Sequence, residues 1–152
     1  MRDPGSGIRA PGSGRRKRRK PYRGVLYNQA MSKKTVAVIG ASSNRSKFGN
    51  RALRAFERQG FTVLAINPNE SEVEGHKTYP SVLDVPGPID MATVYVPPDV
   101  GVGVMEQLAQ KGVPEVWLNP GADDDEVVAR ARELGLKTIQ ACSILAIGES
   151  PY

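Results

Sequence analysis

The sequence predicts an α/β protein: a single Rossmann-type domain whose doubly wound, mainly parallel five-stranded sheet has helices on both faces. Short apolar runs rich in Val, Ile and Ala recur along the chain, and segments with helical periodicity separate them. This alternation is typical of parallel βαβ units with right-handed crossovers. The length of 152 residues suits one compact domain, and an aromatic share of 6% fits a core of small aliphatic side chains.

The predicted strands are apolar runs that stop at glycine, proline or asparagine. The first, Thr35-Val-Ala-Val-Ile39, stops at Gly40, and the second, Phe61–Ile66, stops at Asn67. Runs that are apolar at nearly every position are typical of strands buried on both faces. The other three strands are predicted at residues 91–96, 115–118 and 137–139.

Helices are predicted between these strands. An apolar stripe from Phe48 to Phe56 recurs at helical spacing up to Gly60, a residue type suited to the position after a helix. Asp99 offers an N-cap for a helix that ends at Gly112. A third helix is predicted from the acidic residues 123–126 to Gly135, and the long polar stretch before the third strand is predicted as loop with one helical turn at 81–85.

The basic charge of the chain is confined to its N-terminal part. Residues 1–30 hold nine of the 21 basic and one of the 16 acidic residues, which leaves 12 basic and 15 acidic residues, net −3, in 31–152. Arg15–Lys20 is an unbroken run of cations, which repel one another and cannot pack. We predict a disordered basic leader or untranslated extension over 1–32, a domain over 33–147 and a C-terminal tail over 148–152.

Composition argues against several classes of protein. No apolar run approaches the roughly 18–20 residues that a membrane span needs, and the N-terminus has no apolar block like a secretion signal. The single cysteine, Cys142, cannot form an internal disulfide or a cysteine-based metal site, so we expect a cytoplasmic location. The single histidine, His76, is predicted in a polar loop and is expected to be solvated rather than catalytic. We expect no catalytic residue and no metal site.

The loop after the first strand has the composition of a phosphate site. Gly40 permits a tight turn, Ser42 and Ser43 supply hydroxyl and backbone N–H donors, and the following helix directs its positive end toward the same place. Arg45 and Lys47 add charge suited to a polyanion. The loop is not a G-x-G-x-x-G, and a plain turn with solvated cations is the alternative.

The end of the second strand discriminates between ligands. A nicotinamide-binding domain usually places an acid there to hold the ribose hydroxyls. This chain has Asn67-Pro68, with no acid before Glu70 and no nearby arginine for a 2′-phosphate. The pattern therefore argues against NAD and NADP.

Several motifs in a fixed order resemble the small CoA-binding-domain proteins, which are related to the N-terminal CoA-binding domain of the succinyl-CoA synthetase α subunit. The resemblance covers about residues 33–145. It is carried by Val36–Ser43, Gly60-Phe61, Ile66-Asn67-Pro68, Gly75-His-Lys-Thr-Tyr-Pro80, Pro88-Ile-Asp90, Val94-Tyr-Val-Pro-Pro98 and Val116-Trp-Leu-Asn-Pro-Gly121.

The resemblance implies a Rossmann-type fold that binds coenzyme A. The first loop would take the phosphates, and the ends of the second and third strands would face the adenosine and pantetheine parts. These 152 residues lack the synthetase domain that carries the phosphorylated histidine, so ligase chemistry is not expected here. Carried onto this chain, the resemblance nominates Gly40, Ser42, Ser43, Lys47 and Phe48 for the phosphates, and Asn67, Pro68, Val96 and Pro97 for the remainder.

The expected function is binding of coenzyme A or an acyl-CoA, without a catalytic centre of its own. One alternative is an NAD(P)-dependent oxidoreductase domain, which would want an acid after the second strand and a substrate domain. The other is a nucleic-acid-binding protein that works through the basic tail; this is disfavoured because the rest of the chain is mildly acidic. A protein partner or a second copy of the chain is compatible with the sequence, and a membrane partner is not expected.

Overall fold

The computed structural model describes residues 34–152, and the leader predicted over 1–32 lies outside the described residues. The strands are β1 Thr35–Ile39, β2 Thr62–Ile66, β3 Glu72–Val73, β4 His76–Tyr79, β5 Met91–Val94, β6 Val116–Leu118 and β7 Thr138–Gln140. The helices are α1 Phe48–Arg58, α2 Pro98–Lys111, α3 Asp125–Glu133 and α4 Ser143–Ala146, with a 3-10 helix at Val82–Asp84.

These strands form one sheet in the order β3-β4-β2-β1-β5-β6-β7. β1 lies in the middle, where it pairs in parallel with β2 and with β5. The other pairs are also parallel except for β3 with β4. The α/β class and the mainly parallel sheet predicted from the sequence are confirmed. Because β2 and β5 flank β1 and run parallel to it, the carboxyl ends of the three strands lie next to one another on the same side of the sheet.

The predicted number of strands was wrong, because the described residues contain seven strands rather than five. The two additional strands, β3 and β4, form a hairpin at the edge of the sheet within the stretch that was predicted as loop. Glu74 and Gly75 connect them with φ angles of 49° and 81°, which suit the tight turn of a two-residue hairpin. His76 therefore lies in strand β4 and not in a loop.

Helices pack on both faces of the sheet. Ala37 and Ile39 of β1 belong to a buried cluster that includes Met105 of α2 and Val127 of α3. The alternate residues of β1 are also buried but lie outside this cluster, as expected for side chains that point to the opposite face. Helix α1 packs against β1, β2 and α4 on that second face.

The start of α2 differs from the prediction. Its N-cap is Pro97 rather than Asp99, and Pro98 is its first residue. The fixed φ of proline and its missing N–H suit the first helical position, where the N–H has no partner within the helix. Asp99 lies in the first turn, where its negative charge is favourable to the helix dipole.

Residues near the C-terminus contact α1. The Glu149 carboxylate accepts hydrogen bonds from Arg58 at 2.8 Å and from the Gln59 amide at 2.6 Å. Arg51 donates to the backbone carbonyl of Pro151 at 2.8 Å. Within 34–152 no helix has both the length and the apolar character that crossing a membrane requires.

Candidate functional site

A cavity of about 850 Å³ lies at the carboxyl edge of the sheet. Its lining residues end a strand, follow a strand or belong to the helix after it, which is where ligands bind in open α/β sheets. They are Ile39 at the end of β1, with Gly40, Ser42, Ser46, Lys47, Phe48 and Gly49 after it; Ile66 at the end of β2, with Asn67, Pro68, Asn69 and Glu70 after it; Pro80 after β4; Tyr95, Val96 and Pro97 after β5, with Val100, Val104 and Gln107 of α2; and Pro120, Gly121 and Ala122 after β6.

Eight of the nine predicted site residues line this one cavity: Gly40, Ser42, Lys47, Phe48, Asn67, Pro68, Val96 and Pro97. Ser43 does not line it. The Ser43 N–H, which the sequence analysis assigned to a phosphate, donates instead to the carboxylate of Glu70. The structure thus brings the predicted residues together without showing which group each one binds.

Two glycines let the first loop turn sharply and let α1 approach the sheet. Gly40 has a φ of 91°, and a Cβ there would lie 2.8 Å from the carbonyl oxygen of Tyr95. A Cβ at Gly49 would lie 2.1 Å from the carbonyl oxygen of Gly40. Both contacts are too short for any side chain, so the positive end of the α1 dipole borders the cavity only because these positions are glycine. Gly49 was not among the site residues predicted from the sequence.

A buried asparagine in α1 fixes the shape of the first loop. Asn50 is fully buried, and its amide donates to the Ser42 carbonyl and to the Glu74 carboxylate, both at 2.9 Å. The side-chain oxygen of Asn50, Oδ1, accepts a hydrogen bond of 2.7 Å from Nε of Arg54. The sequence analysis missed this residue, since a polar residue at a helix start is most often exposed.

Glu74 ties the first loop to the β3–β4 turn. Its carboxylate contacts the Asn50 amide and lies 3.2 Å from Nε of Arg45. The Asn50 hydrogen bond, with the nearby charges of Arg45 and Arg54, holds the pKa of the Glu74 carboxyl below its ordinary value of 4.5 against the opposing effect of burial. Arg45 is therefore engaged in an ion pair outside the cavity lining, and Lys47 is the cation of this loop that lines the cavity.

Glu70 reaches the first loop from beyond the end of β2. Its two carboxylate oxygens lie 3.2 and 3.1 Å from the Ser43 backbone nitrogen. The hydroxyl and the N–H of Ser43, followed by the Ser42 hydroxyl and the Lys47 charge, lower the pKa of the Glu70 carboxyl from its ordinary value of 4.5, although partial burial opposes them. The sequence analysis set Glu70 aside because of its distance along the chain from the strand end.

Asn67 joins the loops that follow β1 and β2. Its amide donates to the Ala41 carbonyl at 2.7 Å, and its side-chain oxygen accepts from the Asn69 N–H at 2.7 Å. These contacts account for an asparagine at the end of β2 in structural terms. The half-buried side chain also lines the cavity beside Pro68.

The cavity has two chemically different halves. The polar half is formed by the loops after β1 and β2, and the apolar half by the segments after β5 and β6, which lie on the other side of β1 in the sheet order. The division describes most of the side chains: Phe48 and Pro68 also line the polar side, and Tyr95 and Gln107 also line the apolar side. We use "polar half" for Ser42, Ser46, Lys47, Asn67, Asn69 and Glu70, and "apolar half" for Val96, Pro97, Val100, Val104, Pro120 and Ala122.

A buried hydrogen-bond network supports the apolar half from below. Asn119, 2% exposed, donates to the Thr93 hydroxyl at 2.7 Å and accepts from the Ser143 N–H at 2.9 Å. The Ser143 hydroxyl also lies 2.7 Å from that of Thr93 and 3.1 Å from that of Tyr95. Burial raises the pKa of Tyr95, and the hydrogen bonds to Ser143 and Thr93 oppose this increase. Asn119, which follows β6, therefore serves the fold rather than the cavity.

The other residues considered for chemistry lie away from the cavity lining. His76 places Nε2 3.2 Å from a Glu57 carboxylate oxygen, and Cys142 is half-buried just before α4. Among residues 34–152 no group of three or more His, Cys, Asp or Glu side chains is arranged to hold a metal ion.

The chain is similar in sequence to proteins and domains that are named for coenzyme A. A family model described as a CoA binding domain matches residues 34–149. The α subunit of the ADP-forming acetate–CoA ligase II of Pyrococcus furiosus is 38% identical over 115 residues, which is 68% of this chain and 25% of that subunit. The ADP-forming acetate–CoA ligase I of Archaeoglobus fulgidus is 32% identical over 116 residues, 70% of this chain and 17% of the ligase.

The fold is also that of solved structures. A protein of Pyrococcus horikoshii OT3 superimposes with a TM-score of 0.71 at 30% identity, covering 80% of this chain and 84% of its own. The chain thus matches nearly the whole of that small protein, whereas it spans a quarter or less of the two ligase chains.

Proposed function

This chain belongs to the CoA-binding domain family, and we propose that it binds coenzyme A or an acyl-CoA in the cavity at the carboxyl edge of its sheet. The single observation that carries the proposal is the division of that cavity into a polar and an apolar half. Coenzyme A has the same division, because a phosphate-bearing nucleotide is joined to a long and mostly uncharged pantetheine arm.

The polar half suits the phosphates. Lys47 carries a positive charge there, and the N-terminus of α1 adds the positive end of its dipole. The Ser42 hydroxyl accepts from the Asn44 N–H at 3.0 Å and directs its own proton toward the Glu70 carboxylate, whose place a phosphate oxygen can take as acceptor. In the proposed complex these groups neutralise and orient the diphosphate.

The apolar half suits the pantetheine arm. Val96 and Val104 are partly or largely buried, whereas Val100 is 48% exposed at the start of α2. A ligand chain laid against Val100 would remove apolar surface from water, which is favourable by about 25 cal/mol for each Å². The Gln107 amide also lines the cavity and already contacts the Ser81 hydroxyl at 3.0 Å.

The proposal includes no chemical step on this chain. The titratable side chains in the cavity lining are Lys47, Glu70 and Tyr95, and the hydroxyl of Tyr95 is engaged with Ser143. We therefore propose a module that holds or delivers coenzyme A, acting with a protein partner or a second copy of itself. A cytoplasmic location is proposed separately, from the single cysteine of the sequence. The name of the Pyrococcus furiosus relative, a subunit, is in keeping with a partner.

Thermal unfolding of the full chain with different nucleotides tests the proposal. A ligand at 100 times its Kd that binds only the native state stabilises it by about 2.7 kcal/mol. For a domain of this size we expect coenzyme A to raise Tm by about 10 °C under that condition, and NAD and NADP to raise it far less. An equal or larger shift with NAD would assign the cavity to a nicotinamide cofactor instead.

A further inference from the structure

Glu70 holds a position that the proposed ligand also needs. Its carboxylate faces the Ser43 N–H with both oxygens, at 3.1 and 3.2 Å, and it lines the same cavity as Ser42 and Lys47. A carboxylate and a phosphate recognise the same groups, namely backbone N–H donors, hydroxyls and cations. A phosphate bound at this loop therefore meets an anion that is already there.

The segment that carries Glu70 is fixed at its backbone. The Thr78 hydroxyl of β4 donates to the Glu70 carbonyl, and the Thr78 N–H donates to the Ser71 carbonyl at 3.1 Å. The side chain itself is only half-buried, so it can rotate away from Ser43 without unfolding its surroundings. The backbone of Glu70 is thus held in place, while its carboxylate can leave the Ser43 N–H and be replaced there by another anion.

We propose that Glu70 is a specificity-determining residue whose carboxylate competes with ligand phosphates for the Ser43 N–H and for the charge of Lys47. A carboxylate carries one negative charge and a diphosphate carries more, so the exchange favours a diphosphate over a weakly charged ligand group. This inference rests on the proposed function only for the identity of the ligand. The competition itself applies to any polyanion at this loop.

Glu74 provides the structural contrast. Its carboxylate contacts Asn50 and Arg45, the second a residue of the same loop, and it does not line the cavity. Removing the charge of Glu74 therefore weakens contacts that hold the loop after β1, but it frees no position that a ligand in the cavity would occupy. Glu72, exposed in β3, carries the same charge two residues from Glu70 and serves as a control for net charge.

The test compares Glu70→Gln, Glu74→Gln and Glu72→Gln with the wild type in the full chain. Calorimetric titrations use coenzyme A and, as an independent anion, inorganic pyrophosphate, and Tm is measured without ligand. We expect Glu70→Gln to bind both probes about three- to tenfold more tightly, because a neutral amide competes less well than a charged acceptor. Its Tm without ligand should nevertheless fall, since a charge-assisted hydrogen bond is lost.

This opposite movement of affinity and stability separates competition from a merely structural role. Glu74→Gln should lower Tm without tightening either probe, and Glu72→Gln should leave both affinities within about twofold, as for an exposed charge. Where the wild type binds coenzyme A, weaker or unchanged coenzyme A binding by Glu70→Gln would overturn the inference. Equal tightening by Glu72→Gln would overturn it as well, because the effect would then be one of net charge. If no variant binds coenzyme A but Glu70→Gln binds pyrophosphate more tightly, the competition stands and the proposed function falls.

Discussion

The polar and apolar halves of the cavity both lie at a connection from a parallel strand to a helix, but they differ in the polarity of their side chains. Each lies where a helix begins after a parallel strand, α1 after β1 and α2 after β5. Before α1 the loop lies so close to neighbouring backbone that Gly40 and Gly49 have no room for a Cβ, and the buried Asn50 holds the loop by a hydrogen bond to the Ser42 carbonyl. At α2 it turns through Pro97 and Pro98, which present few donors and leave valines at the cavity.

The difference shows that the polar half depends on the close approach of two backbone segments, whereas the apolar half depends mainly on its side chains. In the polar half, the position of the loop requires Gly49, because the carbonyl of Gly40 occupies the space of a Cβ. In α2, the helix that carries Val100 and Val104 of the apolar half, a Cβ at Gly101 would lie 3.2 Å from a Val127 side-chain carbon, and a Cβ at Gly103 would have nothing within 4 Å. The polar half is thus expected to be the less tolerant of substitution.

The largest expected effect is on folding. Gly49→Ala should destabilise the protein by roughly 3 kcal/mol or more, since the new methyl group overlaps a backbone carbonyl that cannot move freely. The matched change Gly103→Ala, at an exposed position inside α2, should stabilise it by about 0.5–1 kcal/mol. Urea unfolding of both variants measures the difference, and similar stabilities for the two would show that α1 does not need this close approach.

A smaller effect on binding should separate the two halves. Lys47→Ala should weaken binding of coenzyme A about tenfold. It should weaken binding of adenosine 3′,5′-bisphosphate, which lacks pantetheine, by a similar factor. Both losses should become smaller as the salt concentration rises. Val100→Thr, nearly the same in shape, should weaken coenzyme A about two- to fivefold and leave the bisphosphate unchanged. Calorimetry decides between these patterns. If Val100→Thr weakens the binding of both ligands equally, or Lys47→Ala weakens the binding of neither, the assignment of phosphates to the polar half and pantetheine to the apolar half is wrong.

The smallest effect concerns acid stability. The folded-state pKa values of Glu70 and Glu74 lie below 4.5, so their contribution to stability is present in full above that pH and is lost as the pH falls through the lowered values. Glu74→Gln should therefore be less stable than wild type near neutral pH and should lose less stability on acidification below pH 4.5. Thermal melts across this range measure both slopes. Parallel slopes would mean that Glu74 is not held ionised by Asn50 and Arg45.

Much of the fold follows from local sequence, because its buried strands are continuous apolar runs. Residues 35–39, for example, were predicted as a strand with the observed bounds. The β3–β4 hairpin was missed for the opposite reason: His76–Tyr79 contains charged and polar residues, and Glu72–Val73 is too short to show an alternating pattern. Short polar strands of this kind are defined by their pairing rather than by their own hydrophobicity.

The location of the site was predictable from topology, whereas its internal contacts were not. The rule that ligands bind at the carboxyl ends of parallel strands led to the loops that now line one cavity. Asn50 and Glu70 were missed because their roles depend on residues 8 and 27 positions away along the chain. Such contacts arise from tertiary packing, and neither composition nor spacing indicates them.

The most direct test of the central claim is a crystal structure of the full chain with coenzyme A. We predict the diphosphate in the polar half, within hydrogen-bonding distance of Ser42 and Lys47, and the pantetheine arm along Val96 and Val100 in the apolar half. We also predict that the Glu70 carboxylate is displaced from the Ser43 N–H. Coenzyme A bound elsewhere on the molecule, or lying in the cavity with its diphosphate against the apolar half, would contradict the account.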